Sequence, residues 1–309
     1  MQPLSANEMQ TAQFVDFPWA PIPGVKSRPV WNGNEFLLGE QSVAVLSYAT
    51  GDSGWTDELT AFHEDNAGSD HVMDRASRGR ALEQLRRHLK TPVDTATVLE
   101  VGCSTGYMLK TIQEGLPGSF LIGADYVLQP LKHLALQKLN VPLLQFDLTK
   151  CPLADNCVDA VVLLNVLEHI DDDNAAIAQI ARVLKPGGIA VIEVPAGANL
   201  YDVYDKQLMH FRRYSMNALR QSIENKGLKV IERSHLGFSL YPAFYMTKKR
   251  NQKYMTAPVE EQRKIVQASI RASKSNFALK FLMGVELLAG RWISYPFGIR
   301  CLITAQKST

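Results

Sequence analysis

The sequence predicts an α/β fold built on a parallel sheet, and three observations carry that prediction. Between Thr97 and Val194, apolar segments of strand length alternate with segments of helical period. A glycine-rich turn, Glu100-Val-Gly-Cys-Ser-Thr-Gly106, joins the first of these strands to the first of these helices. No apolar run approaches the roughly 20 residues of a membrane span. The nearest, Phe277 to Trp292, is interrupted by Lys280, Glu286 and Arg291.

Each element has its own signal. Residues 1–30 hold Pro3, Pro18, Pro21, Pro23 and Pro29 without a durable period, and are expected to form an irregular arm. Residues 31–70 carry scattered aromatics, Tyr48 and Trp55 among them, and are too apolar for a disordered tail. They are expected to fold over the main domain. Val72 to Leu89 is helical by period, with Asp70 as its N-cap. Then follow strand Thr97–Val101, helix Tyr107–Gln113, strand Phe120–Ala124, helix Gln129–Leu139, strands Pro142–Phe146 and Val158–Leu164, helix Asn174–Leu184 and strand Ile189–Val194. Beyond them, Ser215–Lys226 reads as a helix, Leu228–Arg233 as a strand, 241–296 as mostly helical and Gly298–Ala305 as a strand. The expected units are an N-terminal arm and lid (1–70), a core (71–240), a helical insertion (241–296) and a last core strand with its tail (297–309).

Composition narrows the function classes. At 46% hydrophobic and 21% charged, the chain is an ordinary globular protein. A net charge of +2 gives no ground for a nucleic-acid partner. Cys103, Cys151, Cys157 and Cys301 show no metal-type pairing, and no secretory pattern is read at the N-terminus, so reduced thiols in the cytoplasm are expected. The basic excess lies within the insertion, where nine Lys/Arg face two Glu between Met246 and Lys280. A solvated helical face, a homodimer contact and attachment to an anionic membrane surface all remain open for it.

The glycine turn is the first chemical signal. Gly102 and Gly106 let the backbone turn tightly and approach a ligand where a β-carbon would obstruct it. The spacing is Glu-x-Gly-x-x-x-Gly, which departs from the dinucleotide fingerprint. Glu100 before the turn would oppose a pyrophosphate and suits a cationic nucleoside such as S-adenosylmethionine. Asp125 ends the second strand about 20 residues on, where a carboxylate can accept bonds from ribose hydroxyls. A helix N-cap is the competing role.

Four segments in order carry a resemblance: Glu100 to Gly106, Ile122-Gly-Ala-Asp125-Tyr126, Gln145-Phe-Asp147-Leu148 and Asn165-Val-Leu-Glu-His169. Over residues 97–235 the chain resembles the class I S-adenosylmethionine-dependent methyltransferases of the broad small-molecule type. The resemblance implies a Rossmann-like, seven-stranded mixed sheet with helices on both faces, an antiparallel last strand and S-adenosyl-L-methionine as cofactor. It implies cofactor contacts from Glu100, Gly102, Cys103, Ser104, Gly106, Asp125, Tyr126, Asp147, Leu148 and Asn165, with Asp147 toward the adenine amino group.

The acceptor is left open by that resemblance. His169 ends the fourth strand beside the substrate and can act as a base or orient the acceptor. The late segment holding His210, Arg212, Arg213 and Tyr214 offers a catalytic histidine and arginines for a carboxylate or phosphate. A small anionic acceptor is therefore expected, with Trp55 and Tyr241 shaping its pocket. Asp171-Asp-Asp173 precedes a helix, where acids are favoured by the dipole, so it is read as capping and no metal site is expected. Aminopropyl transfer, and an inactive cofactor-binding or membrane-associated interaction protein, are the competing functions.

Overall fold

The computed structural model of the protein describes residues 17–48, 71–272 and 277–309. Asp70 and Trp55, expected as a helix cap and a pocket residue, lie outside them. Four short strands come first, β1 (Val30–Trp31), β2 (Phe36–Leu38), β3 (Gln41–Val43) and β4 (Val45–Ser47), then α1 (Val72–His88). The alternating core follows as β5 (Thr97–Val101), α2 (Tyr107–Gly115), β6 (Phe120–Asp125), α3 (Leu128–Leu136), β7 (Leu143–Gln145), β8 (Val158–Leu164), α4 (Asp173–Val183) and β9 (Leu184–Pro195). The chain then forms α5 (Val203–Gln207), α6 (Met216–Glu224), β10 (Leu228–Leu236), α7 (Tyr241–Asn251), α8 (Val259–Ala272), α9 (Phe277–Ala289) and β11 (Arg300–Lys307). No helix among the described residues is long and apolar enough to cross a membrane.

The main sheet runs β10-β11-β9-β8-β5-β6-β7-β4. Its centre is parallel, while β11 inserts antiparallel to both β9 and β10. Every residue of β5 is buried, as expected of a strand covered on both faces. The sheet has eight strands, which corrects the expected seven. The eighth, β4, comes from the N-terminal segment and pairs parallel with β7 from Val45↔Leu143 to Ser47↔Gln145. It closes an edge that the core alone would leave unpaired.

The N-terminal segment is also more regular than expected. β1, β2 and β3 form a small antiparallel sheet. Trp19, Trp31 and Phe36 are buried in the same core cluster as Phe120 and Leu144. Trp19 and Phe36 meet edge to face at 4.9 Å between centroids, a geometry the ring quadrupoles favour.

Contacts at several points fix the helical insertion to the core. Met283 of α9 is buried against Val72, Met73 and Ala76 of α1. The Glu286 carboxylate accepts the backbone N–H groups of Gly237, Phe238 and Ser239 and the Ser239 hydroxyl. It thereby ties α9 to the turn between β10 and α7. On the other side of the insertion, Val266 of α8 is buried with Val203 of α5.

Candidate active site

A cavity of about 1510 Å³ opens at the carboxyl end of the parallel strands, where an open α/β sheet binds its ligands. One wall comes from the turns after β5, β6 and β7. Gly102 and Gly106 both sit in the left-handed region, at φ +77° and +78°. A β-carbon at Gly102 would lie 2.5 Å from Val166 Cγ2, and one at Gly106 would lie 2.5 Å from Leu134 Cδ1. Both positions therefore exclude larger residues by conformation and by space.

Asp125 holds this loop. Its Oδ2 accepts the Ser104 N–H at 2.9 Å and its Oδ1 accepts the Val127 N–H at 2.9 Å. It does not cap α3, whose N-cap position belongs to Val127. Asp147 accepts the amide and hydroxyl of Thr149 and caps the short turn Leu148–Lys150. Glu100 is buried, and its Oε2 has no partner. Burial and the nearby Asp125 charge push its carboxyl well above the usual range, against the opposing pull of Arg78. An orphaned carboxylate oxygen on a cavity wall is what a ligand carrying a positive charge or a donor group would satisfy. Cys103 is buried beside it, and burial raises its thiol well above the usual value, so it supplies shape rather than a thiolate.

The cavity wall includes Glu100, Gly102, Cys103, Ser104, Asp125, Tyr126, Asp147, Leu148 and Asn165, nine of the ten residues expected around a cofactor. Gly106 stands behind the loop, against Leu134. Asn165 adopts φ +55°, a conformation costly for a non-glycine residue, and its N–H donates to the Glu193 carbonyl at 2.9 Å.

The opposite wall is built from a buried charge cluster. Asp205 Oδ1 takes His210 Nδ1 at 2.9 Å and Arg213 at 2.8 Å, and its Oδ2 takes Lys248 Nζ at 2.7 Å. Lys248 also donates to Asp202 Oδ1 at 2.7 Å. Burial opposes ionisation of Asp205, but His210, Lys248 and Arg213 outweigh it and hold the carboxyl well below its usual range. An ionised Asp205 accepts a hydrogen bond from Nδ1–H, so His210 turns its other ring nitrogen, Nε2, away from this carboxylate. Burial lowers the His210 pKa below its usual value, with Asp205 pulling the other way. The His169 ring meets His210 edge to face at 4.7 Å. Beside them Glu168 is 1% exposed, neither of its carboxylate oxygens has a partner, and burial pushes it up to about 8.

Three expected acceptor-binding residues are corrected by this geometry. Arg212 turns away from the cavity and pairs with Asp173 at 2.9 Å and with the Asp171 carbonyl at 2.6 Å. Tyr214 is buried beneath, its hydroxyl donating to Asp173 Oδ2 at 2.8 Å. Tyr241 also lies off the cavity wall, packed on Phe297. Arg213 does line the cavity, but its guanidinium is taken up by Asp205 and the Ala196 carbonyl. The aspartate run behaves as capping, with Asp172 accepting the Ala175 N–H at the start of α4. The sequence reading missed Asp202, Asp205 and Lys248. An aspartate three residues before another acid is a capping-box pattern that could have located α5 and its buried pair.

Comparison with known proteins agrees with this geometry. Residues 99–192 match the family described as "Methyltransferase domain". A probable S-adenosylmethionine-dependent methyltransferase of Mycolicibacterium smegmatis is 31% identical over 135 residues, covering 43% of this chain and 52% of that protein. A demethylmenaquinone methyltransferase of Thermus thermophilus is 29% identical over 148 residues, 44% of this chain and 67% of its own. The match thus spans about half the length of the first of these relatives. Among solved structures, a chain of the complex containing the Haloferax volcanii Trm112 methyltransferase activator superposes with a TM-score of 0.54 at 18% identity, covering 83% of this chain and all of that one. Haemonchus contortus phosphoethanolamine N-methyltransferase 2, solved with S-adenosyl-L-methionine, gives 0.52 at 13% identity over 83% of this chain and 61% of its own. Residues 99–192 thus match a methyltransferase domain, and the sheet order and glycine loop around them are those of the class I methyltransferase fold.

Proposed function

We propose that the protein transfers a methyl group from S-adenosylmethionine to a small-molecule acceptor with a mostly apolar body and one hydroxyl. The observation that carries this reading is one cavity with two unlike polar ends. At one end stand the left-handed glycine loop, Asp125 and the orphaned Glu100; at the other stand Glu168, His169 and His210. Between them the wall holds Leu240, Ala243 and Phe244 of the insertion and its approach.

The donor supplies an electrophilic methyl on a sulfonium when bound. Glu100, Asp125 and the loop backbone are the groups to hold its charged and ribose portions. Methyl transfer is an in-line displacement, so the residues of this chain contribute chiefly by aligning the two reactants and excluding water. The insertion helices roof the cavity and serve that exclusion. The expectation of an anionic acceptor rested on His210, Arg212, Arg213 and Tyr214. With Arg212 and Tyr214 off the wall and Arg213 neutralised, the polar end favours an acceptor that brings its own oxygen to Glu168 and the two imidazoles. Relatives named as demethylmenaquinone methyltransferases support a small-molecule acceptor.

Calorimetry with S-adenosylhomocysteine, followed by a methyl-release assay on a panel of phenols, enols and aliphatic alcohols, tests the reading. Donor binding with turnover of a hydroxyl acceptor is expected. Absence of donor binding overturns it, and binding without turnover on any acceptor favours the inactive alternative.

A further inference from the structure

At the acceptor end, Glu168, His169 and His210 each offer one ligand atom, and these atoms lie within 4.8 Å of one another. We propose that these three side chains form a binding site for a divalent transition-metal ion of the zinc or iron(II) type, which takes the acceptor's oxygen as a further ligand.

The carboxylate is the first argument. Glu168 is buried, both oxygens lack a hydrogen-bond partner, and its side chain lines the cavity. A carboxylate that served only to pair with a neighbouring imidazole would be bonded to it. Here it is aimed instead into a volume that it shares with two imidazoles, at the cost of leaving a buried polar group unsatisfied.

The second argument is what stands behind His210. Histidine ligands nearly always give their other ring nitrogen to a carboxylate or carbonyl, which fixes tautomer and orientation. His210 Nδ1 lies 2.9 Å from Asp205 Oδ1, and Asp205 is held in turn by Arg213 and Lys248. That arrangement presents Nε2 as the ligand nitrogen. It also engages the local cations: Arg213 is taken up by Asp205, and Lys248 by Asp202 and Asp205, so neither is turned on the three ligand side chains.

The third argument is the donor set. Two imidazoles and one carboxylate with open positions suit zinc or non-haem iron(II), and poorly suit magnesium or calcium, which prefer oxygen ligands. Bond lengths near 2.1 Å would draw the three ligand atoms to about 3.4 Å from one another, a contraction that side-chain rotation can supply. Asp171, Asp172 and Asp173 contribute nothing to this site, being engaged by Arg212, Ala175 and Tyr214. The ion's binding is independent of the methyl-transfer reading; only its role in holding the acceptor rests on that reading.

The test is a titration of the full chain, stripped by chelator, with Co²⁺ under anaerobic conditions. One ion per chain is expected, with the visible absorption of an ion bound by imidazole and carboxylate. Glu168→Gln and His169→Ala should each weaken binding by more than about 100-fold, beyond the 10- to 100-fold typical of outer-shell partners. Affinity for S-adenosylhomocysteine in the same samples should stay within about twofold, as a readout of folding. A wild-type chain that binds no Co²⁺, or variants that bind it as the wild type does, overturns the proposal. Should a variant fail to fold, imidazole ¹⁵N resonances of the wild type decide: shifts at two histidines on adding Co²⁺ support the site, and none overturns it. Bound Co²⁺ without S-adenosylhomocysteine binding would sink the methyl-transfer reading and leave the ion site standing.

Discussion

The two walls of the cavity are made in different ways. The wall after β5, β6 and β7 is assembled by contacts close to the loops themselves: Asp125 takes the amides of Ser104 and Val127, and Asp147 takes Thr149. The wall that meets the insertion is assembled by charges far apart in the chain, Lys248 reaching back 43 residues to Asp205 and 46 to Asp202. Local turns hold a ligand-binding shape at little cost. A buried ion cluster is costly to desolvate, and is most sensitive to the loss of one member.

The sharpest way to break this contrast is to remove the hub of the cluster. Asp205→Ala leaves Arg213 and His210 without their carboxylate and Lys248 with one partner fewer. It should destabilise the fold by about 3–5 kcal/mol in denaturant unfolding, the range for breaking a buried ion pair. A loss under about 1 kcal/mol would show that the acceptor wall is not held by charge. On the donor wall, Gly106→Ala forces a side chain into the left-handed region against Leu134. It should cost about 1–3 kcal/mol by the same measurement and weaken S-adenosylhomocysteine binding. Asp125→Ala should leave the protein folded and weaken that binding by about tenfold, or about 1.4 kcal/mol. Unchanged affinity would reduce Asp125 to a backbone tether.

These differences explain what could be read in advance. The donor wall was legible because each of its turns is announced within a few residues, by Gly102 and Gly106 after an apolar strand and by Asp125 and Asp147 at strand ends. The last strand, β11, and the helical insertion were legible by period, and the antiparallel setting of β11 only through the resemblance. The acceptor wall was not. Nothing near Lys248 in a run of basic residues marks it as the buried one, because its burial depends on α7 crossing Asp202 and Asp205. Arg212 and Arg213 are neighbours with opposite fates, one paired outward with Asp173 and one buried on Ala196. Periodicity does not separate them in a segment with no regular structure. The edge strand β4 was missed for a related reason, since three residues are too few to show alternation.

A smaller effect sharpens the contrast through pH. Asp74 of α1 pairs with Arg300 at 2.6 Å and sits beside His71. Burial opposes its ionisation, yet the Arg300 charge and His71 hold the carboxyl well below its usual value. A carboxylate depressed in the folded state contributes stability above its unfolded pKa of about 3.9 and loses it as the pH falls below that. Asp74→Asn should therefore lower Tm at neutral pH, with the gap to wild type closing in acid. A gap that stays constant from pH 7 to the acid limb would discard the pairing. The smallest effect belongs to Arg212, half-exposed on the outer surface. Arg212→Ala should cost at most about 1 kcal/mol, as surface ion pairs do, and leave acceptor kinetics unchanged. Altered acceptor KM would return it to the site.

The Glu286 carboxylate, four times bonded to the turn that begins α7, has a mechanical consequence. Leu279 at one end of α9 and Phe244 of α7 both face the cavity, and this one side chain rivets their supports together. Swinging α9 aside would break all four bonds at once, so that seam of the roof is a hinge pin rather than a door. Traffic into the cavity has to pass elsewhere along its rim.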